Sequence, residues 1–560
     1  MKTIFLLFII LTILSLTYAQ DKINSFNLIT LNPVEYEKTE FNINVSAAFN
    51  NPYVSSDIQI NMILTSPSGK ELFLPCFYFS GDSISSLWKA RFAAQESGTY
   101  SYFFRLSREA GISINSDTSA FAVFPSNKNG FLHINDLWTL KFDSGKLFRG
   151  IGENVGWESR SFEDPKWTYN YLLPTLSKNG ANYFRTWMCQ WNLPLEWQKV
   201  SGTNRYKSTQ EYYNPGGIKR MDELVNLADS LGLYIQLTLD YGASLSNEHW
   251  FDSSSYNRKN PDNAEDFFTF NSSQQKYKDK LRYIVARWGY STSIAAWEFF
   301  NEIDNLAFTR LDSVIIPQED IIEWHSEMSR FLNGIDPYHH IITTSISHRD
   351  IIGLNSLPYI DINQKHIYKR TEEIRPEILR YTKAYNKTYV IGEFGYEWDW
   401  NLDFSKITGG LEYDYKRGLW YGLFSPTPIL PLTWWWEFFD TNNMTPYFRG
   451  VREISDLMLN AGEGSFEIIN VYAKTIEAYG LKCGEKLFVY LLNNSNSDIL
   501  TDIELKVHTK KSLSVQSFIP VSRIYKNLGR SKNTQNGITV TNINLKSKNE
   551  LVLILSPNKD

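Results

Sequence analysis

The clearest regularity in the chain is a repeated switch from helical to strand spacing of the apolar residues between residues 131 and 455. Met221, Leu224, Val225, Ala228 and Leu231 recur at i, i+3, i+4, i+7 and i+10, which makes one apolar helix face, and Gly232 is placed to end it. The apolar run Leu233–Leu239 follows at once as a strand. The unit repeats with Tyr277, Leu281, Ile284, Val285 and Trp288, then Gly289, then Ala295–Phe300. A third copy ends its helix at Asn179-Gly180 and continues into Asn182–Trp187. Repeated αβ units predict a parallel sheet with helical crossovers. Eight candidate strands end near Asn154, Trp187, Asp240, Asn301, Ser345, Tyr368, Glu393 and Trp436. That count predicts a (β/α)8 TIM barrel, whose usual size is ~250 residues, rather than an open doubly wound sheet.

The flanks read differently. Residues 22–125 carry short alternating runs such as Phe41–Val45 and Ile58–Met62, broken by turns, which predicts an N-terminal β-sandwich of immunoglobulin type. Residues 465–560 return to strand patterns, with Leu487–Leu492, Ile503–Val507 and Leu551–Leu555, and predict a C-terminal β-sandwich. Residues 1–19 read as a secretory signal peptide: a basic start, an apolar run from Ile4 to Leu16, and Thr17-Tyr18-Ala19 as a cleavage site. That run is shorter than the ~20 residues a membrane span needs, so no membrane anchor is expected and the chain reads as secreted, or periplasmic in a bacterium.

Charge and composition narrow the function classes. Lys and Arg total 56 against 61 Asp and Glu, a net charge of −5, so the chain lacks the basic field that a nucleic-acid partner requires. Cys76, Cys189 and Cys483 lie far apart and read as small buried side chains rather than as a disulfide framework. Aromatic residues make up 15% of the chain, with 17 Trp, 33 Tyr and 35 Phe. Fifteen of the tryptophans fall between Trp157 and Trp436, within the expected barrel. Flat rings there serve either as core or as platforms for sugar faces.

The candidate chemistry centres on two carboxylates at the ends of different barrel strands. Glu302 closes Trp297-Glu298-Phe299-Phe300-Asn301-Glu302, and Glu393 stands in Val390-Ile391-Gly392-Glu393-Phe394-Gly395. Each follows an apolar strand, which separates it from an ordinary surface acid. Two such groups are what glycoside hydrolysis needs, one to protonate the leaving oxygen and one to attack the anomeric carbon or activate water. Glu298, four residues before Glu302, reads as a buried, paired acid. Glu437 reads as rim and Trp324 as packing, while Trp187, Trp191 and Trp250 stand between platform and core. No second His stands at ligand spacing from His366, so no metal and no cofactor is expected.

These residues carry a family resemblance over roughly residues 147–440. Asn301-Glu302 and Glu393 resemble the acid/base and nucleophile signatures of clan A glycoside hydrolases, and within that clan the chain most resembles family 5, the cellulase and endo-β-mannanase type. Gly152-Glu153-Asn154 is similar to the end of the first strand in that family. Arg185 resembles the arginine that supports the nucleophile, and His366-Ile367-Tyr368 the His-x-Tyr of strand six. Trp434-Trp435-Trp436 fall where a sugar platform stands. Two departures bear on the sugar: strand three ends in Asp240-Tyr241 where a His is frequent, and Ile303 follows Glu302 where Pro is common.

The resemblance implies a retaining enzyme acting by double displacement on a β-linked polysaccharide or oligosaccharide, β-mannan or β-glucan first. Glu302 is then the acid/base and Glu393 the nucleophile. Asn154, Arg185, Trp187, Asn301, His366, Tyr368, Trp434 and Trp435 contact substrate or position the carboxylates. The rival readings are an exo-acting β-galactosidase or β-mannosidase of the same clan, and an inactive carbohydrate-binding or adhesion protein. A monomer with carbohydrate as its only partner is expected.

Overall fold

A computed structural model describes residues 21–82, 84–109, 111, 113–246, 264–308, 312–399, 401, 403–507, 512–535 and 537–557. The expected signal peptide and Trp250 lie outside the described residues. The chain divides into two compact units, residues 1–125 and 126–560.

The first unit is built from two antiparallel sheets. One pairs Lys22–Leu28, Lys38–Ser46, Ser86–Ala93 and Phe77–Gly81 in that order. The other holds Glu71–Pro75, Gln59–Thr65, Gly98–Ser107 and Ser113–Asn115, with Ser119–Val123 also on Gly98–Ser107. The alternating residues turn inward and meet: Phe41 of one sheet packs its ring on Tyr102, Phe104 and Phe121 of the other.

The second unit is organised by seven parallel strands in sequential order: β1 (Gly152–Asn154), β2 (Tyr183–Trp187), β3 (Tyr234–Tyr241), β4 (Ile294–Asn301), β5 (Ile341–Ile346), β6 (Ile362–Tyr368) and β7 (Tyr389–Gly395). The ring is nearly closed. The expected eighth strand is not regular and does not reach Trp436. In its place an extended segment, residues 428–434, accepts and donates backbone bonds on both sides, to Gly150 and Asn154 and to Ile391 and Phe394. It stops because Trp435 takes a left-handed backbone (φ 70) and Trp436–Thr441 is already helical.

The long crossover helices are α1 (Tyr169–Lys178), α2 (Pro215–Leu231), α3 (Asn271–Trp288), α4 (Gln318–Ile335), α5 (Ile374–Tyr385) and α6 (Phe404–Leu423). Gly232 caps α2 in the left-handed region (φ 64), and Met221, Leu224, Val225 and Ala228 are its buried face. The floor of the barrel, which the sequence pattern did not reveal, is closed by three short antiparallel strands, Leu132–Ile134, Leu140–Phe142 and Leu147–Phe148. Their Leu132, Leu140, Phe142 and Phe148 form one apolar cluster with Tyr183, Ala296, Ile341, Ile362 and Val390 from the strand starts. This plug seals one end, so the other end is left for chemistry.

After α6 and a further helix, α7 (Phe448–Gly462), the chain forms two antiparallel sheets of six and four strands around a core of Leu, Val and Ile. They belong to the same compact unit as the barrel. Trp420 of α6 stacks on Tyr490 at 5.4 Å, and Tyr421 donates to Glu477 at 2.7 Å. Arg149 ties these layers together. Its fully buried guanidinium donates to the carbonyls of Gly422, Leu423, Ser425 and Thr427 where α6 ends, and lies near the stacked rings of Trp138 and Phe466. A cation at a helix C-terminus satisfies the carbonyls that the helix leaves open. Arg149→Met is expected to lower unfolding stability by about 3 kcal/mol, read as the urea midpoint, because several buried carbonyls lose their donor.

Candidate active site

The end of the barrel opposite the plug gathers polar side chains from all seven strands. At its centre is Arg185 of β2, fully buried, with all five N–H donors used. Nε and Nη2 donate to the two oxygens of Glu298, each at 2.7 Å. Nη2 also donates to Asn301 Oδ1 at 2.7 Å. Nη1 donates to Asn154 Oδ1 at 3.1 Å and to Glu393 Oε1 at 2.7 Å. Glu298 is therefore the buried, paired acid that its position suggested. It also accepts from Gln236, Thr238 and Gln364, at 2.8, 2.9 and 3.0 Å. Those three polar residues went unnoticed in the sequence, although Gln236 and Thr238 stand two apart in an otherwise apolar strand, which is the mark of an inward polar row. Gly392 makes room for them: a Cβ there would meet Gln364 Nε2 at 2.4 Å.

Above this layer stand the two candidate carboxylates. Glu393 accepts from Arg185 and, through Oε2, from the Tyr368 hydroxyl at 2.7 Å. Glu302 follows β4 with a left-handed backbone (φ 54), and its N–H is held 3.0 Å from Ser345 Oγ. This turn lifts its side chain above Glu298. His366 Nδ1 lies between the pair, 2.9 Å from Glu302 Oε1 and 3.4 Å from Glu393 Oε2. One oxygen of Glu302, one of Glu393 and a ring nitrogen of His366 all lie within 4.8 Å of one another. Such a group has the donor set and the size to hold a divalent ion as well as to perform acid/base work.

Burial sets the charges. It pushes Glu302 up to about 7, with Asp304 adding to the rise and Arg185 opposing it. It pushes His366 down to about 4, so the imidazole is neutral near pH 7. Glu393 is also raised by burial, with His366 and Arg185 pulling it down. Arg185 opposes the effect of burial on Glu393 without outweighing it. The guanidinium is shared with Glu298, which takes three of its five N–H bonds' acceptor places with Asn301 and is itself held low by Arg185.

The aromatic residues divide. Trp187 is 8% exposed and packs with Trp434 at 5.5 Å, Trp157 at 5.4 Å and Tyr241 at 5.9 Å, beside the Arg185 guanidinium. Among the described residues, neither its Nε1 nor Nε2 of His366, both buried, has a hydrogen-bond partner. Trp435 turns away instead, with its ring 4.5 Å from Phe404 and its Nε1 on the Glu397 carbonyl. Trp324 is fully buried on α4, as packing requires. Glu437 is half-buried rather than plain rim, and burial pushes its carboxyl up to about 8. Asp240 and Glu196 flank the buried Lys280, which bonds Asp240 at 2.7 Å. Cys76, Cys189 and Cys483 are buried free thiols, and burial pushes Cys189 up to about 12. No described helix is long and apolar enough to cross a membrane.

No curated protein matches the sequence. Residues 33–107 match a family described as a domain of unknown function, DUF5060. Among solved structures, the chain is similar to a candidate glycoside hydrolase from Bacteroides vulgatus, 13% identical, over 94% of this chain and 99% of that one, with a TM-score of 0.66. It is also similar to a protein named as a glycoside hydrolase, 15% identical, over 77% of this chain and 98% of the other, with a TM-score of 0.54. At these identities the likeness is one of fold.

Because the raised Glu302 binds its proton more tightly folded than unfolded, its contribution to stability is present below the ordinary carboxylate pKa and is lost as pH rises toward 7. Glu302→Gln removes that loss. Between pH 4.5 and 7, wild type is expected to lose about 1–3 kcal/mol relative to the variant, measured by urea unfolding across pH.

Proposed function

We propose that the chain is a retaining β-glycosidase that acts on a β-linked polysaccharide or oligosaccharide, with Glu393 as nucleophile and Glu302 as acid/base. The observation that carries this reading is the short separation of the two carboxyls, whose oxygens come within 4.8 Å across strands β4 and β7. Retaining enzymes bring the pair to ~5–5.5 Å, whereas inverting ones leave ~6.5–9.5 Å for a water between them. The fold it shares with the two glycoside hydrolase structures adds support.

The chemistry follows from the environments. Glu302, raised to about 7, is protonated in about half of the molecules at pH 7, and that form gives its proton to the glycosidic oxygen as the bond breaks. Glu393 attacks the anomeric carbon through an ionised oxygen, steadied by Arg185 and Tyr368. Both hydrogen bonds fix its direction, which is the orientation that a covalent attack requires. A glycosyl ester results. Glu302, now a carboxylate, takes a proton from water, whose oxygen attacks the same carbon and frees Glu393. Asn301 gives its oxygen to Arg185, so its Nδ2 is the end left to donate to the sugar 2-hydroxyl. Trp187 and Trp434 form the aromatic wall. For the sugar we propose β-mannan or β-glucan first, from the strand-four and strand-six motifs. Export is proposed from the apolar run at Ile4–Leu16.

The test is a screen of wild type and Glu393→Gly against β-mannan, β-glucan, xylan and aryl β-glycosides. The variant is expected to lose about 10⁴-fold or more in kcat. Added azide is expected to restore turnover of an activated aryl glycoside and to give the α-glycosyl azide. Undiminished hydrolysis by the variant would sink the nucleophile role, and a β-azide product would sink its assignment as the attacking group.

A further inference from the structure

Glu302 has two oxygens, and their surroundings differ. Oε1 lies 2.9 Å from His366 Nδ1, while Oε2 accepts a 2.9 Å hydrogen bond from Asn305 Nδ2. An amide can turn over and present its oxygen instead. Here it is held: Asn305 Oδ1 accepts from Arg349 Nη2 at 2.6 Å. A guanidinium has only donors, so it keeps the amide oxygen toward itself and the NH2 toward Glu302. Arg349 is fixed in turn by Asp304, a fully buried carboxylate in the turn that follows Glu302. Asp304 accepts from the N–H groups of Ser347, His348 and Arg349 at 2.6, 3.3 and 3.1 Å, from Ser347 Oγ at 2.6 Å and from Arg349 Nε at 3.4 Å. The loop after β5 and the turn after β4 are thus locked together, and the lock ends on one oxygen of Glu302.

We propose that Asn305, held by Arg349, is a positioning residue that keeps the proton of Glu302 on Oε1, the oxygen turned toward His366 and Glu393. The inference rests on Glu302 being the acid/base. In a protonated carboxyl the carbonyl oxygen is the better acceptor and the hydroxyl oxygen the poorer. A fixed N–H at Oε2 therefore favours the form with its proton on Oε1. In the tautomer protonated on Nε2, the neutral His366 accepts that O–H at Nδ1 until the leaving oxygen takes the proton. After transfer, the Asn305 N–H stabilises the carboxylate, and the proton drawn later from water returns to Oε1. The groups that face Glu302 are Asp304, which raises it, and Arg185, His348 and Asn305, which lower it, with Glu393 and Tyr368 across the cleft.

The experiment compares the full chain with Asn305→Ala and the isosteric Asn305→Asp, which keeps the shape but presents only acceptors. Each is assayed for kcat/KM on a β-linked oligosaccharide and on the 2,4-dinitrophenyl glycoside of the same sugar, whose leaving group needs no proton. On the oligosaccharide both variants are expected to fall about 10²-fold, within the range of general acid catalysis. On the dinitrophenyl glycoside they should stay within about threefold, since only proton donation is impaired. The basic limb of the oligosaccharide profile should move to higher pH, because the carboxylate has lost a donor. Equal losses on both substrates with an unmoved basic limb, or unchanged kinetics, would overturn the proposal. The Asp variant covers the case in which Asn305→Ala fails to fold. Absence of hydrolysis of either substrate by wild type would instead overturn the glycosidase reading, and this inference with it.

Discussion

One buried guanidinium holds the working end of the barrel together. Arg185 sits on β2 and spends its five N–H bonds on β1, β4 and β7, through Asn154, Glu298, Asn301 and Glu393. Asn154 passes the link on, donating to the carbonyls of Gly392, Leu432 and Thr433, so that the irregular eighth segment is stitched to its neighbours. A fully buried cation is tolerated only when its donors are met and its charge is balanced. Here the balance comes from two carboxylates, and that requirement places Glu393 where its outer oxygen can face a ligand.

The same requirement governs the third carboxylate. With Glu298 and Glu393 ionised, Arg185 is already outnumbered, and His366 is held neutral by burial. A further ionised group at Glu302 would add repulsion in a poorly solvated site, beside Asp304. Burial raises its pKa to about 7, and the neighbouring Asp304 adds to the rise. Glu393 takes a hydrogen bond from the arginine while Glu302 is buried beside Asp304, so the two candidate carboxyls stand in unlike surroundings.

The tryptophans show how much of an enriched residue type is structural. Trp288, Trp297, Trp324, Trp420 and Trp436 are fully buried and fill the space between strands, helices and the C-terminal sheets. Trp187 and Trp434 stand instead at the strand ends, packed on Trp157 and next to the charged cluster. A ring that packs and a ring that meets a ligand have the same sequence signature, and only the position along the barrel axis separates them.

The alternation of helix and strand, the ends of seven strands and the candidate carboxylates Glu302, just after β4, and Glu393, near the end of β7, were legible in the chain. These depend on local spacing, on glycine stops such as Gly232 and on polar residues that break an apolar run. Directions and partners were not legible there, because they are set by contacts between distant segments. Along β4 the inward and outward alternation fails: Phe299 and Phe300, although adjacent, both pack on Trp324 and His325. Glu298 and Asn301 consequently both face Arg185, although a strict period of two sets them on opposite faces. The turn that lifts Glu302, the sharing of Arg185 between two acids, the rotation of Trp435 toward Phe404 and the irregular eighth segment all depend on residues distant in the chain. Periodicity records which residues avoid water, whereas a buried charge is placed by partners that come together only when the barrel closes.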